Sequence, residues 1–268
     1  MSEARAGTDT AMEGAAEEPA LGHEAPYRVR FDEAGPDGML RTSGLLRFAQ
    51  DVAWLHSTAL GFDRDWYRSR GLTWLVRAAE LEVLEPIPMG SVVMSRTVVV
   101  GQRRVWARRR GEFRLADGTL AGWVHTDWVL IDDRGGLTRI PAVFGEIFRI
   151  PETAGQIGRV PLGPTPAGAS ERTFAVRPHE LDPMDHVNNA VYVDWLEEAV
   201  ARAAADGGGA VLRAIPRRYR LEYAMAADAG ASLRDAAWPH VDGWAYRVAA
   251  TEGPELFRAI CEPSGGMR

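Results

Sequence analysis

The sequence contains no lysine: all 31 basic residues among its 268 are arginines. A Walker-type phosphate loop, a kinase lysine and a Schiff-base enzyme each need that residue, so all three classes are excluded. Cysteine is almost as scarce. Cys261 stands alone, which rules out an intrachain disulfide framework and any cysteine-rich zinc or iron–sulfur site. No apolar run approaches the ~20 residues of a membrane span, because Arg, Asp or Glu interrupts each one. The opening MSEARAGTDTAMEGAAEEPA is acidic and has no apolar centre, so it does not read as a secretory signal. A cytoplasmic protein with no membrane partner is the expectation.

What is present is ordinary for a globular chain: 46% hydrophobic and 25% charged residues, at a length that suits one or two domains. The charge is lopsided. Residues 1–25 hold six acids and one base, Arg5, a net of −5 out of the chain's −6. That stretch is poor in bulky apolar residues and reads as a disordered acidic tail. The near-neutral remainder argues against a nucleic-acid partner, whose binding rests on positive surface.

Two segments share one pattern of loop, amphipathic helix and strands. In Phe31–Phe62 the residues Leu45, Ala49, Val52, His56 and Leu60 keep helical spacing, with Thr42 or Ser43 as the expected cap. In His179–Gly209 the apolar face is Tyr192, Trp195, Leu196, Ala199, Val200 and Ala203, and Gly207, Gly208 and Gly209 end the helix. A shift of 147 lays Glu33 on Glu180 and Phe48 on Trp195; downstream, a shift of 140 lays Leu81-Glu82 on Leu221-Glu222 and Gly90 on Gly230. Alternating apolar and polar runs follow each helix, with turn signals at Pro88-Met89-Gly90 and Ala116-Asp117-Gly118-Thr119. The expected class is α+β, with a central helix wrapped by a curved antiparallel sheet in each repeat. The boundaries are an N-terminal repeat at 26–150, a Gly/Pro-rich linker at 151–172 and a C-terminal repeat at 173–268.

The chemistry-bearing residues precede the second helix. Asp182 to Asn189 deliver an acid, an imidazole and two amides to a helix start, whose N–H groups favour a developing negative charge. For an acyl transfer Asp182 is the base or nucleophile and His186 binds the carbonyl or the water, with Asn188 and Asn189 shaping the loop or contacting substrate. The bland alternative is a set of Asx and His caps. In the first repeat Gly35 and Met39 occupy the places of Asp182 and His186, so one working site per chain is expected.

Asp182-Pro-Met-Asp-His186-Val-Asn188-Asn189-Ala-Val-Tyr192-Val-Asp-Trp195 resembles the signature of hotdog-fold thioesterases, above all the acyl-acyl-carrier-protein (acyl-ACP) thioesterases of plants and bacteria. Leu46 to His56 is similar to their first helix, and Trp123 to Ile140 to their closing strands. The resemblance, over about residues 27–262, implies a double hotdog. It also implies hydrolysis of a fatty acyl thioester in fatty acid biosynthesis, a carrier protein or CoA as partner, and a chain that acts alone or as a homodimer. Met184 stands where that family usually has Asn, and Ala226 and Ala227 where a Glu-Cys pair follows. The remaining Asp182 and His186 form a reduced set, open to hydrolysis of acyl-ACP, hydrolysis of acyl-CoA, or binding without cleavage.

Arg103, Arg104, Arg108, Arg109 and Arg110 read either as a docking patch, with Arg108 and Arg110 on substrate, or as a solvated strand face. Arg217, Arg218 and Arg220 offer the same choice. Trp54, Trp66 and Trp74 line an acyl channel or sit in plain core. His56, on the apolar face of the first helix, reads as a satisfied core histidine, to which the family resemblance adds some functional weight. His125, His179 and His240 lack metal-like spacing, so neither metal nor other cofactor is expected.

Overall fold

The computed structural model describes residues 22–148, 155–203 and 209–265. Ten strands build one antiparallel sheet. The first five are β1 (Gly22–Arg28), β2 (Leu72–Val83), β3 (Val92–Arg103), β4 (Trp106–Arg114) and β5 (Leu120–Asp132). The second five are β6 (Ser170–Ala175), β7 (Arg217–Tyr223), β8 (Ser232–His240), β9 (Gly243–Ala250) and β10 (Glu255–Pro263). Their order, β1-β3-β4-β5-β2-β7-β10-β9-β8-β6, reads the same from either edge once β1 is matched to β6, β2 to β7 and so on. Helix α1 (Thr42–Ala59) follows β1, and α4 (Val191–Ala203) follows β6 at the same place in the pattern. Three shorter helices are α2 (Arg64–Arg68), α3 (Ala142–Phe148) and α5 (Gly209–Arg213). The architecture is α+β.

The two halves meet where β2 pairs with β7. Glu80 lies opposite Arg220, its own counterpart 140 residues on, and Leu81 and Ala79 face Tyr219 and Leu221 symmetrically about that point. Backbone bonds recur in the same way: Gly35 N–H to Met39 O matches Asp182 N–H to His186 O, and Val29 N–H to Ser91 O matches Val176 N–H to Ala231 O. Gly90 and Gly230 close equivalent turns at φ 86° and 69°, a region in which a side chain is strained. On the helix layer Arg47 of α1 meets Asp194 of α4 at 2.9 Å, again positions 147 apart.

Both long helices bury most of the faces that their spacing predicts, while Ala49 and Ala203 are half-buried and Leu60, also half-buried, is the C-cap of α1. Val52 and His56 of α1, and Tyr192, Trp195, Leu196, Ala199 and Val200 of α4, are buried. α1 packs on β1 and β3, and α4 on β6, β8 and β9. Aromatic rings fill the second half, with Tyr192 against Trp195, Tyr223 and Phe257. Each such side chain contributes about 1.5–3 kcal/mol when taken from water.

Several boundaries differ from expectation. β1 takes in residues 22–25, which composition assigned to the acidic tail; residues 1–21 lie outside the described residues. Thr42 and Ser43 do not cap α1. Arg41 is its N-cap, Thr42 Oγ1 accepts from Arg217 at 3.0 Å, and Ser43 Oγ accepts from Arg47 at 2.8 Å. Gly207 and Gly208 lie outside the described residues, and Gly209 opens α5. The Gly/Pro-rich connection is anchored, and its last residues, 170–172, belong to β6. Gly158 N–H donates to Asp127 at 2.7 Å and Val160 N–H to Glu222 at 2.9 Å. Strand alternation puts both carboxylates on the face opposite the helices, because their neighbours Trp128 and Tyr223 face the other way. The connection is a strap over that outer face.

Glu180 shows how the repeats diverge in detail. Its buried carboxylate accepts from Arg177 N–H at 2.6 Å and from the Trp195 indole at 3.0 Å. Its counterpart Glu33 accepts from Arg30 N–H at 2.8 Å, but Phe48 stands in the place of Trp195 and donates nothing. Glu180→Ala therefore strands a buried indole N–H and should lower unfolding stability by about 1–3 kcal/mol in urea titrations. Glu33→Ala should cost less than half as much. Equal losses would show that the indole bond contributes nothing.

Candidate active site

The segment before α4 is built as a tight turn. After a single 3-10 turn at Pro178–Glu180, Asp182 N–H donates to His186 O at 2.8 Å and Asp185 N–H to Asp182 O at 3.0 Å. Asp185 closes the turn at φ 63°, where the first half has Gly38 at 76°. Asp is tolerated in this left-handed region better than most side chains. The Asp182 carboxylate accepts from Met184 N–H at 2.8 Å through Oδ1; among the described residues Oδ2 accepts no hydrogen bond. The chain's only two asparagines follow. Asn188 Oδ1 accepts from Ala190 N–H at 2.9 Å, and its Nδ2 donates to Gln50 of α1 at 3.2 Å. Asn189 offers its carbonyl to the Tyr223 hydroxyl at 3.0 Å.

This turn forms one wall of a cavity of about 980 Å³. Asp182, Met184 and Asn188 stand on one side, with Gln50 and Trp54 of α1 across from them. Met184 and Trp54 are exposed, so this end is the mouth. The wall then passes to buried Tyr67, Val99, Phe144 and Phe148 of the first half. Phe62, Phe144 and Phe148 stack on one another behind it. The arrangement joins a carboxylate at an open mouth to a long, mainly apolar interior. Such a site suits a chain-like apolar ligand whose reactive end stays near Asp182.

The other expected site residues divide. Asp182 and Asn188 line the cavity, whereas His186 and Asn189 are not among its lining residues. The His186 imidazole lies 3.8 Å from Asp228 on the outer flank of the turn, and its backbone bridges that residue. Trp54 and Trp74 line the cavity; Trp66 packs behind it against Phe62 and Phe144. The arginine run is not one patch. Arg108 forms a bidentate pair with Asp127 at 2.7 and 2.9 Å, and Arg110 pairs with Glu112 at 3.0 Å. Their charges are met on the outer face, which removes them as substrate contacts. Arg109, one residue out of phase, points inward and lines the cavity. Arg218 and Arg220 pair with Glu80 and Glu262. Among the described residues, no cluster of three His, Cys, Asp or Glu side chains is placed to hold a metal.

The symmetry-related position is filled. Beside the Gly35–Met39 turn, the place that Gln50 holds in the open site belongs to Glu197, 147 residues on. The Glu197 carboxylate accepts from the Tyr219 hydroxyl at 2.5 Å, which in turn receives Arg217 at 2.9 Å. Burial raises the Glu197 pKa, with the Tyr219 and Thr42 hydroxyls and Arg217 pulling the other way. Gly35 brings no carboxylate there.

Sequence reading missed the inner wall. Arg109 donates to His56 Nδ1 at 3.0 Å and to Ser57 Oγ at 3.1 Å. Because Nδ1 accepts, the His56 proton sits on Nε2, a buried atom with no hydrogen-bond partner among the described residues. His56 is thus buried but not satisfied. Burial first, then Arg109 and His23, lower its pKa to about 4. The usable signal was strand alternation, which sends the middle residue of Arg108-Arg109-Arg110 to the opposite face.

The model of the acyl-ACP thioesterase N-terminal domain matches residues 21–149, and that of the acyl-ACP thioesterase C-terminal domain matches residues 165–233. The chain is 23% identical over 214 residues to oleoyl-acyl carrier protein thioesterase 1 of Arabidopsis thaliana, a chloroplastic protein. That alignment takes in 72% of this chain but 59% of the plant protein, so the chain spans about three fifths of that relative's length. Among solved structures, the 12:0-ACP thioesterase from Umbellularia californica superposes with a TM-score of 0.75 at 22% identity, over 90% of this chain and 96% of that one. An acyl-ACP thioesterase from Bacteroides thetaiotaomicron gives 0.75 at 14% identity, over 90% and 97%. The fold is that of the hotdog thioesterases.

The low His56 pKa makes folding sensitive to acid. The unfolded chain takes up this proton near pH 6.5 and the folded chain only near pH 4, so the stabilisation is present above pH 6.5 and is lost as pH falls towards 4. The His56 share of the slope is at most about 1.4 kcal/mol per pH unit. Urea titrations from pH 7 to 4.5 should show a flatter pH dependence for His56→Gln than for the wild type. Parallel curves would show that His56 titrates normally.

Proposed function

Because the chain belongs to the acyl-ACP thioesterase family, we propose that it hydrolyses a fatty acyl thioester of acyl carrier protein to free fatty acid in the cytoplasm. The observation that carries this reading is the cavity with Asp182 at its mouth and aromatic side chains within. We read the palindromic sheet as a double hotdog whose first half shapes the acyl channel and whose second half supplies the catalytic turn.

The unengaged Asp182 Oδ2 takes a proton from water, and the hydroxide oxygen bonds to the thioester carbon. The tetrahedral oxyanion develops at the start of α4, where partial positive charge and the Asn188 amide favour it. The C–S bond then breaks, and the departing pantetheine thiolate recovers the proton from Asp182. The same carboxylate attacking directly, with water then cleaving the anhydride, gives the same products. His186 acts through its carbonyl, which holds the Asp182 N–H, so its imidazole is a minor contributor. Acyl-CoA is an alternative substrate by the same chemistry. Binding without cleavage is the second reading, favoured by Met184, Ala226 and Ala227 at the family's usual polar positions.

The carrier's acidic surface and phosphate need cations at the mouth. Arg64 and Arg68 of α2 are exposed, line the same cavity and have no ion-pair partner among the described residues, and we infer that they flank its entrance. They replace Arg108 and Arg110 in that role.

Asp182→Asn should lower turnover of acyl-ACP by about 10²–10⁴-fold at unchanged stability. His186→Ala, which keeps the backbone bond, should lose far less. Activity within a few-fold of wild type in Asp182→Asn would remove the assignment, and absence of thiol release from the wild type would favour the binding module.

Reversing the two mouth cations, Arg64→Glu with Arg68→Glu, should raise KM for acyl-ACP severalfold with little change in kcat. That KM should also rise with salt in the wild type. A KM indifferent to both would place carrier docking elsewhere.

A further inference from the structure

The inner wall of the cavity holds a cation that the hydrolysis of a plain hydrocarbon chain does not use. Along β4, the neighbouring arginines are matched to carboxylates: Arg108 to Asp127, Arg110 and Arg114 to Glu112. Arg109 is not. Among the described residues its guanidinium meets two neutral acceptors, His56 Nδ1 and Ser57 Oγ, and it lies over the Phe148 ring at 5.6 Å. Among the described residues, no carboxylate lies within ion-pair distance of it. A guanidinium carries five N–H donors, so the two bonds to His56 and Ser57 leave donors without an acceptor among the described residues. Loss of water around it draws its pKa down to about 10, so it stays charged at neutral pH.

The surroundings are built rather than accidental. His56, at 2% exposure, is neutral and spends its one acceptor on Arg109, which leaves its own Nε2–H unpartnered among the described residues. The Tyr67 hydroxyl, which accepts from Trp74 at 3.1 Å, and the Gln102 side chain belong to the same wall. A purely alkyl chain packed here would cover a charged group and offer it nothing. An oxygen on the chain would supply the missing acceptor in a place where water is sparse and the interaction correspondingly strong.

We propose that Arg109 is a specificity-determining residue that binds an oxygen substituent of the acyl chain, so that the preferred substrate is an acyl thioester bearing a carboxylate or hydroxyl away from the thioester. The assignment rests on the acyl-thioesterase reading of the cavity, with the thioester at Asp182 and the oxygenated end at Arg109. An anionic carboxylate suits the guanidinium best, and a hydroxyl is the neutral version of the same acceptor.

The test is a matched series of acyl-ACP substrates of equal chain length, ending in methyl, hydroxyl or carboxylate. In the wild type, kcat/KM for an oxygenated end should exceed that for methyl by about tenfold or more. Arg109→Met should reverse the order, with the methyl-ended substrate gaining, and Arg109→Lys should keep part of the preference for carboxylate. A parallel calorimetric comparison of free monocarboxylic, ω-hydroxy and dicarboxylic acids of one length reads the same preference without hydrolysis. If no thioester is cleaved but the ω-oxygenated acids bind more tightly, the hydrolytic reading fails and the Arg109 assignment stands. If the methyl-ended ligands win in both assays, the assignment is overturned. It is also overturned if Arg109→Met lowers kcat equally for all three ends, since the guanidinium would then be acting on the thioester itself.

Discussion

The pairing of β2 with β7 joins two five-stranded sheets into one, in a register that sets Glu80 opposite its counterpart Arg220. A slip by a single residue would turn Leu81, Tyr219 and Leu221 from the helix face to the outer face, exposing the core that α1 and α4 cover. The same register brings the helices together at Arg47 and Asp194 and lays Asn188 against Gln50. The candidate site therefore exists only at a junction. Its acid-bearing turn comes from the second half, and its apolar inner wall comes from the first.

Symmetry of this kind creates two equivalent junctions, and the two have been used differently. One opens into the cavity beside Asp182. At the other, Gly35 and Met39 replace the acid and the imidazole, and Glu197, Tyr219 and Arg217 occupy the space with a buried hydrogen-bonded network. A buried network of this sort is tolerable only when its members satisfy one another. One junction is filled by hydrogen-bonded side chains and the other is open.

What could be read from sequence depended on how local each feature is. The turn from Asp182 to Asn189 is contiguous, so its acid, imidazole and two amides could be read as one group, although only Asp182 and Asn188 line the cavity. The repeat was visible because Leu81-Glu82 and Leu221-Glu222 keep their offset through the central strands. The inner cavity was not visible, since Tyr67, Phe144, Phe148 and Arg109 come from three elements that approach only in the folded sheet. A run of three arginines reads as one basic patch, yet a period of two sends Arg109 inward and leaves Arg108 and Arg110 to Asp127 and Glu112. The Gly/Pro-rich connection misled for a related reason: its anchors, Asp127 and Glu222, lie 31 and 62 residues away from the backbone amides they hold.

The central claim is that each chain has one acyl site, entered at Asp182 and running into the first half. A crystal structure with a non-hydrolysable acyl-pantetheine thioether analogue tests it most directly. The account predicts one analogue per chain, with the atom that replaces the thioester carbon beside Asp182 and the tail against Phe144 and Phe148. A tail lying beside Gly35 and Glu197, or two analogues per chain at the paired junctions, would contradict it.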